Sequence, residues 1–572
     1  MNLLNKLLVT LTCVTMAGCS GHNTDSGDAA IVTRLQQRLP PLMQKAEIPG
    51  LQVALIDNGE LSWSASFGVA DNQFNAPVTE QTLFEAASLS KPVFAYLVMK
   101  LVDAGRLDLD RPLYTLLENK RLTHDKRHRL ITPRLVLTHT SGLPNWGGTP
   151  LAFRFDPGST FGYSGEGYLY LQQAVETLTG QSLQTLAREL VFEPLGMDSS
   201  YYLLTDDKAP RAHGHDRVGA VGRKAGATAE NAAASLVTTA SDYARFIAAL
   251  MQKKGLADKL ATLMIQPAVK AGDPFNPGTP GQAPMSWALG LAADETDDKI
   301  LLWHWGDNGV FRAYMAFSPR LQRGVVYLAN SQNGLTLVDE INAMVFGSGG
   351  NIAKWLNTEQ WNNPARLQRQ ELLTIFRDQG EAPMLEKLAA LASPAPEDRN
   401  EAVLLPLAGL LQQIGANSSA VKVLHVAQQS APDDPALKQA LAEALLATKD
   451  YRGAANVLQE ALIIADDKAK ESIHQRLEWI RVFLEARPPA QIDPAALVGS
   501  FGARKVWAQG DDLLYQRGEG AIHKLHPLTP TLFAVGDLTS FRLQFTIGED
   551  GIAESVTGLY MDGNRDESLR DR

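Results

Sequence analysis

The chain has 572 residues, more than one hydrophobic core usually organises, and its 45% hydrophobic and 20% charged residues suit a folded protein of two or three domains. A net charge of −10 argues against a general nucleic-acid surface. Basic residues do cluster at Lys120, Arg121, Lys126, Arg127, Arg129 and Arg134. They read as a solvated loop before a helix rather than a binding patch.

In chain order, a leader comes first. Residues 1–18 carry one positive charge, Lys6, then an apolar run from Leu7 to Ala17 that is too short for a permanent membrane span. The run ends in Met16-Ala17-Gly18-Cys19-Ser20. Small residues before a cysteine are similar to the processing site of bacterial lipoproteins, whose cysteine is acylated and becomes the new N-terminus. The expectation is an exported protein, lipid-anchored through Cys19 and facing the periplasm, with Ser20 resembling the outer-membrane sorting choice. Residues 19–30 then form a flexible tether. With Cys13 removed and Cys19 carrying lipid, the mature chain has no internal disulfide and depends on core burial.

A helix is expected over 31–45, then a hairpin in which Asp57-Asn58-Gly59 turns Leu51–Ile56 back on Leu61–Phe67. From Phe84 to about Leu203 apolar residues recur at helical spacing, and strand character returns over 300–317 and 324–330. Strands at both ends with helices between predict one mixed sheet against a helical subdomain, spanning 31–348. Residues 349–366, between Gly349-Gly350 and Pro364, read as a linker. Beyond it, Ala408, Leu411, Ala420, Leu424 and Ala427 recur 34 residues later as Ala442, Leu445, Ala454, Leu458 and Ala461. That period and those small residues are the tetratricopeptide signature, predicting helical repeats over 367–488 that bind a protein partner or pack on the catalytic domain. Alternation at Phe541, Leu543, Phe545 and Ile547 predicts a small antiparallel β domain over 489–562, followed by a frayed tail over 563–572.

Ser88-x-x-Lys91 places a hydroxyl and an amine one helical turn apart, the arrangement a serine nucleophile needs for its base. Pro92 fits only if the helix has just begun. Alone the motif is weak, since a chain of this length holds about two such matches by chance. Tyr163 follows 75 residues after Ser88 in Phe161-Gly-Tyr-Ser-Gly-Glu, and His304 stands 141 residues after Tyr163 in Trp303-His-Trp-Gly-Asp307. Between them lie Leu137-Thr-His-Thr-Ser-Gly-Leu143, Asp156-Pro-Gly-Ser159, Glu193-Pro-Leu-Gly-Met197 and Thr238-Thr-Ala-Ser-Asp242.

This series resembles the serine β-lactamase and penicillin-binding-protein superfamily, in the branch of class C β-lactamases, D-Ala-D-Ala carboxypeptidases, D-aminopeptidases and esterases. The resemblance covers 31–347 and implies an α/β (α+β) domain with an antiparallel sheet and a helical subdomain. It implies that Ser88 forms an acyl-enzyme and that Lys91 and Tyr163 share the base role. It also implies an oxyanion hole of the Ser88 and Asp307 backbone N–H groups, with Gly165, His304 and Gly306 lining the substrate. For Tyr163 to abstract a proton its pKa should fall below about 10, which a neighbouring lysine cation favours.

Two residues depart from the family pattern. Gly165 stands where Asn usually contacts the substrate amide, so restoring Asn there is expected to raise β-lactam acylation. His304 replaces the class C lysine, and near a pKa of about 6.5 it is only partly cationic. Both disfavour an efficient β-lactamase and leave an ester, an amide or a D-amino-acid peptide as substrate. His213 and His215 read as a loop pair lacking a third ligand, His139 as a structural hydrogen-bonding residue, and no metal or cofactor is called for. The rival reading is a scaffold or sensor whose repeats do the work and whose hydrolase fold has lost turnover.

Overall fold

The computed structural model describes residues 26–295, 300–391, 400–489, 492–518 and 520–571. The expected leader, Cys19 and the start of the tether lie outside them. The chain divides into two compact units between Gln360 and Trp361.

In the first unit α1 runs Ser26–Ala46, so residues 26–30, expected in the tether, are helical. Leu35, Leu39, Leu42, Met43 and Ala46 recur at three- and four-residue intervals and are all buried, which makes one apolar stripe. The strands are β1 (Gly50–Asp57), β2 (Glu60–Asp71), β3 (Ala76–Pro77), β4 (Phe84–Ala87), β5 (His213–His215), β6 (Val221–Lys224) and β7 (Leu236–Thr238). Then come β8 (Val269–Ala271), β9 (Met285–Trp287), β10 (Ala292–Asp294), β11 (Leu301–Asp307), β12 (Arg312–Ser318) and β13 (Arg323–Ala329). Nine of these form one sheet in the order β3-β2-β1-β13-β12-β11-β10-β9-β8.

Every ladder in that sheet is antiparallel, which corrects the mixed sheet the strand positions suggested. β1 is central and buried along its whole length, and it joins the N-terminal hairpin to the last strand through Leu51 opposite Ala329. Asn58 and Gly59 take φ of 52° and 74°, the left-handed pair that a two-residue hairpin turn requires. Helices α2 (Ser90–Asp103), α3 (Pro133–Leu137) and α4 (Gly165–Thr179) belong to the helical part. The expected linker is not all linker: Ile352, Ala353 and Trp355 are buried, and the Trp355 ring lies 5.6 Å from that of Trp303.

The second unit begins with the helices Pro364–Gln379 and Glu381–Leu391, then Leu405–Gln413, Asn417–Ser430, Pro435–Ala447, Tyr451–Ile464 and Asp467–Leu484. Both sets of five residues at the 34-residue interval are buried where successive helices pack. Eight antiparallel strands follow in simple sequence order. The last, Arg565–Leu569, pairs with Ala553–Tyr560 where a frayed tail was expected. The end of the chain then returns to the first strand, with Asp571 N–H bonding to the Ser500 carbonyl at 2.8 Å. The small domain packs on the preceding helix: Trp479 donates to Thr539 O at 2.8 Å, and the Arg542 guanidinium stacks 3.4 Å from the Trp479 ring.

Candidate active site

β4 pairs with β7, Ala87 opposite Leu236, and this two-stranded ladder delivers the Ser88 segment and residues 233–235 to one place. Ala87 holds φ at 48°, an uncommon value for a residue with a side chain, immediately before Ser88. α2 begins two residues later at Ser90, so Pro92 falls in its first turn, where no intrahelical N–H is lost. The helix start is pinned from three directions. Ser90 Oγ accepts Leu236 N–H at 2.9 Å, Tyr202 donates to Ser90 O at 2.7 Å, and Tyr243 donates to Leu89 O at 2.9 Å.

The Lys91 amine reaches back one turn to lie 3.0 Å from Ser88 Oγ, and donates to the Ala233 carbonyl at 2.8 Å. The lysine is fully buried, and burial pulls its pKa well below the usual lysine value. Burial thus favours the uncharged amine, the form that can act as a base. The Tyr163 ring lies 4.6 Å from the same nitrogen, and the Tyr168 ring 5.7 Å.

Tyr163 departs from expectation. Burial pushes its phenol above the ordinary value, the nearby Ser88 hydroxyl only partly opposing this, so Tyr163 is a protonated phenol at neutral pH. The Tyr163 hydroxyl is buried and has no hydrogen-bond partner among the described residues. Its ring is fixed by His139, centroids 4.4 Å apart, and by Trp305 at 4.8 Å. His139 in turn accepts Ser164 N–H on Nδ1 at 3.0 Å, so its proton sits on Nε2, in keeping with a structural role.

His304 also differs. It is fully buried, stacks on Trp305 at 19° with centroids 5.1 Å apart, and directs Nδ1 to the Trp305 carbonyl at 2.7 Å. Burial first, and then the Lys91 amine, lower its pKa to about 3. It is therefore a neutral wall of the site, which corrects the partly cationic carboxylate partner expected from its type. Gly306 has a steric reason: a Cβ there would run into the Ala86 carbonyl oxygen and stand 3.0 Å from Ala313 Cβ. Lacking one, β11 lies flush against β4, bringing Asp307 alongside the Ser88 segment. The Asp307 carboxylate pairs with Arg312, and Asn308 Nδ2 donates to Glu85 Oε2 at 2.7 Å and to Ala234 O at 3.1 Å.

Gly165 shows what took the place of the expected asparagine. A Cβ at 165 would lie 2.6 Å from Trp146 Cη2 and 2.9 Å from Asn145 O. Asn145 O accepts both Gly165 and Glu166 N–H at 3.1 Å. Buried Glu166 accepts Gly147 N–H at 3.1 Å and forms a two-pronged pair with Arg121 at 2.7 and 3.0 Å. Half of the basic cluster is thus ion-paired: Arg121 with Glu166, Arg127 with Asp125 and Asp156, and Arg134 with Asp110. Arg121, read as part of a solvated loop, instead clamps this helix start, and no motif marks Trp146 or Glu166 as folding over it. The histidine pair lies on β5, with His213 facing Asp71 at 3.1 Å and His215 facing the Asn330 carbonyl at 2.9 Å.

A nucleophile, a buried amine within hydrogen-bond reach of it and a tyrosine beside both now stand together, and the family model described as Beta-lactamase matches residues 35–345. The chain belongs to the β-lactamase family. This is a family of serine hydrolases with esterase, peptidase and β-lactamase relatives. Among curated relatives, the unguisins hydrolase ungD' of Aspergillus campestris (strain IBT 28561) is 26% identical over 54% of this chain and 63% of its own length. Penicillin-binding protein 4 of Amycolatopsis lactamdurans is 32% identical over 29% of this chain, which spans 48% of that relative. Esterase EstB of Burkholderia gladioli is 30% identical over 30% of this chain, which spans 51% of it. The chain thus spans about half to under two thirds of these β-lactamase-family relatives. A solved D-alanine carboxypeptidase AmpC from Burkholderia cenocepacia is 22% identical, with a TM-score of 0.47 over 56% of this chain and 99% of that one.

Proposed function

We propose that the protein is an exported serine acyl hydrolase that forms an acyl-enzyme on Ser88, acting on an ester, a D-amino-acid peptide or, poorly, a β-lactam. The observation that carries this reading is the fully buried Lys91 amine 3.0 Å from Ser88 Oγ. Uncharged Lys91 takes the Ser88 proton as Oγ attacks the carbonyl. The oxyanion forms at the backbone N–H groups of Ser88 and Asp307. The Tyr163 phenol, buried beside both residues, hands a proton to the leaving group and is reprotonated from Lys91. It acts as a relay, since a phenol whose pKa is raised is a poor standing base. Water then cleaves the ester on Ser88.

Lipid attachment through Cys19 places this activity at the periplasmic face of the outer membrane. The consecutive helices after residue 361, with their 34-residue repeat, serve as a tetratricopeptide-like surface for a protein partner. Retention of Ser88, Lys91 and Tyr163 in contact favours the enzyme over a scaffold that has lost turnover. A fluorophosphonate or fluorescent penicillin is expected to label wild type and not Ser88→Ala. No labelling, with no p-nitrophenyl ester turnover, would sink the enzyme reading. A panel of nitrocefin, D-Ala-D-Ala peptides and short acyl esters then sorts the substrate.

A further inference from the structure

Trp146 is 51% exposed, yet its loop is tied down by the Arg121–Glu166 pair and by the Asn145 carbonyl. Its indole lies on Gly165, two residues after Tyr163, at the first turn of α4. Leu169, four residues on, shares that face of the helix, and it lines a cleft of about 670 Å³ with Glu85, Arg223, Asn231, Ala234 and Asn308. Ala234 follows the residue whose carbonyl holds Lys91, so the edge of the cleft lies one residue from that contact. Phe275, 54% exposed, adds a second ring at 6.3 Å from Tyr163. Of the charges nearby, Arg223 pairs with Glu85 and Arg312 with Asp307, and the Glu230 carboxylate of the cleft accepts Gln184 N–H at 2.9 Å.

We infer that Trp146 forms an acyl-side subsite for an aromatic acyl group, making the preferred substrates neutral aryl-bearing esters or amides. The family position that would bind an amide through Asn here presents Gly165, and the indole above it offers a flat face in place of a polar one. A planar acyl arm leaving Ser88 gains stacking on that face at little ordering cost, because the loop is already held. His304, being neutral, supplies no charge for a substrate carboxylate.

This inference rests on the acyl-hydrolase reading, and one experiment separates the two. Methyl phenylacetate and methyl acetate share a leaving group and differ only in the acyl arm, and both can be followed by proton release. In the full-length protein, Trp146→Ala is expected to lower the phenylacetate-to-acetate ratio of kcat/KM about tenfold, mainly through KM, and Trp146→Phe to restore most of it. A ratio within about twofold of wild type in Trp146→Ala overturns the subsite and leaves the hydrolase standing. Absent turnover of both esters, together with no fluorophosphonate label on Ser88, overturns both.

Discussion

The indole of Trp146 occupies the space that a side chain at Gly165 would need, its Cη2 2.6 Å from the position of a Cβ there. A side chain at 165 would therefore meet both the indole and the Asn145 carbonyl oxygen.

Gly165→Asn is accordingly expected not to raise β-lactam acylation, reversing what the motif alone suggested. The half-exposed indole can swing aside, but the Asn145 carbonyl, 2.9 Å from the same Cβ, is held by two backbone N–H groups. Overpacking of this kind costs about 1–3 kcal/mol. Urea unfolding should show the loss, with part of it recovered in the Trp146→Ala/Gly165→Asn double variant. Faster nitrocefin acylation by the single variant would contradict this account.

Lys91 must be neutral to act as base, and burial lowers its pKa well below 10.5. The rate of Ser88 labelling by a fluorophosphonate should fall as pH drops through the Lys91 value, with a midpoint well below that of a free lysine. Lys91→Ala should cut the rate by about 10²–10⁴-fold, and Lys91→Arg, permanently cationic, by a similar factor. A midpoint near 10.5, or an active Lys91→Arg enzyme, would refute the assignment.

His139 and His304 both have pKa values depressed by burial, His304 to about 3. Below about 6.5 the unfolded chain takes up protons that the folded chain refuses, so stability is full above that pH and is lost as pH falls toward the folded values. Each histidine contributes up to about 1.4 kcal/mol per pH unit to the slope. Urea titrations at pH 7 and pH 5 should show the loss, and His304→Gln should flatten it. An equal slope in wild type and His304→Gln would count against a neutral His304.

In the second unit, Arg542 is buried against Trp479 and Phe483, with Nε and Nη1 lacking hydrogen-bond partners among the described residues. Trp479→Ala removes the stacked face and the bond to Thr539, and is expected to cost about 3–5 kcal/mol. Thermal unfolding followed by tryptophan fluorescence checks this. A loss below about 1 kcal/mol would show that the helix and the small β domain are not coupled there.

Legibility differed by element. The Asp57-Asn58-Gly59 hairpin and the helix around Leu35 and Leu39 were readable because turn geometry and helical period are local properties. The antiparallel sheet followed from the family resemblance but not from strand positions, because strand direction is set by which distant strands pair, as Leu51 does with Ala329. Arg565–Leu569 read as a tail because its charged residues suit solvent, and only pairing with Ala553–Tyr560 makes it a strand.

Within the site, the order Ser88, Lys91, Tyr163 and His304 was written in the sequence, as was the family it resembles, because residue type and spacing carry nucleophile and base. Their protonation was decided by the tertiary structure. Burial is the largest cause in lowering the Lys91 and His304 values and in raising that of Tyr163, since desolvation depends on everything packed around a group and on nothing within it. The fold also placed Trp146 on Gly165, a contact between residues 19 apart that no local pattern announces.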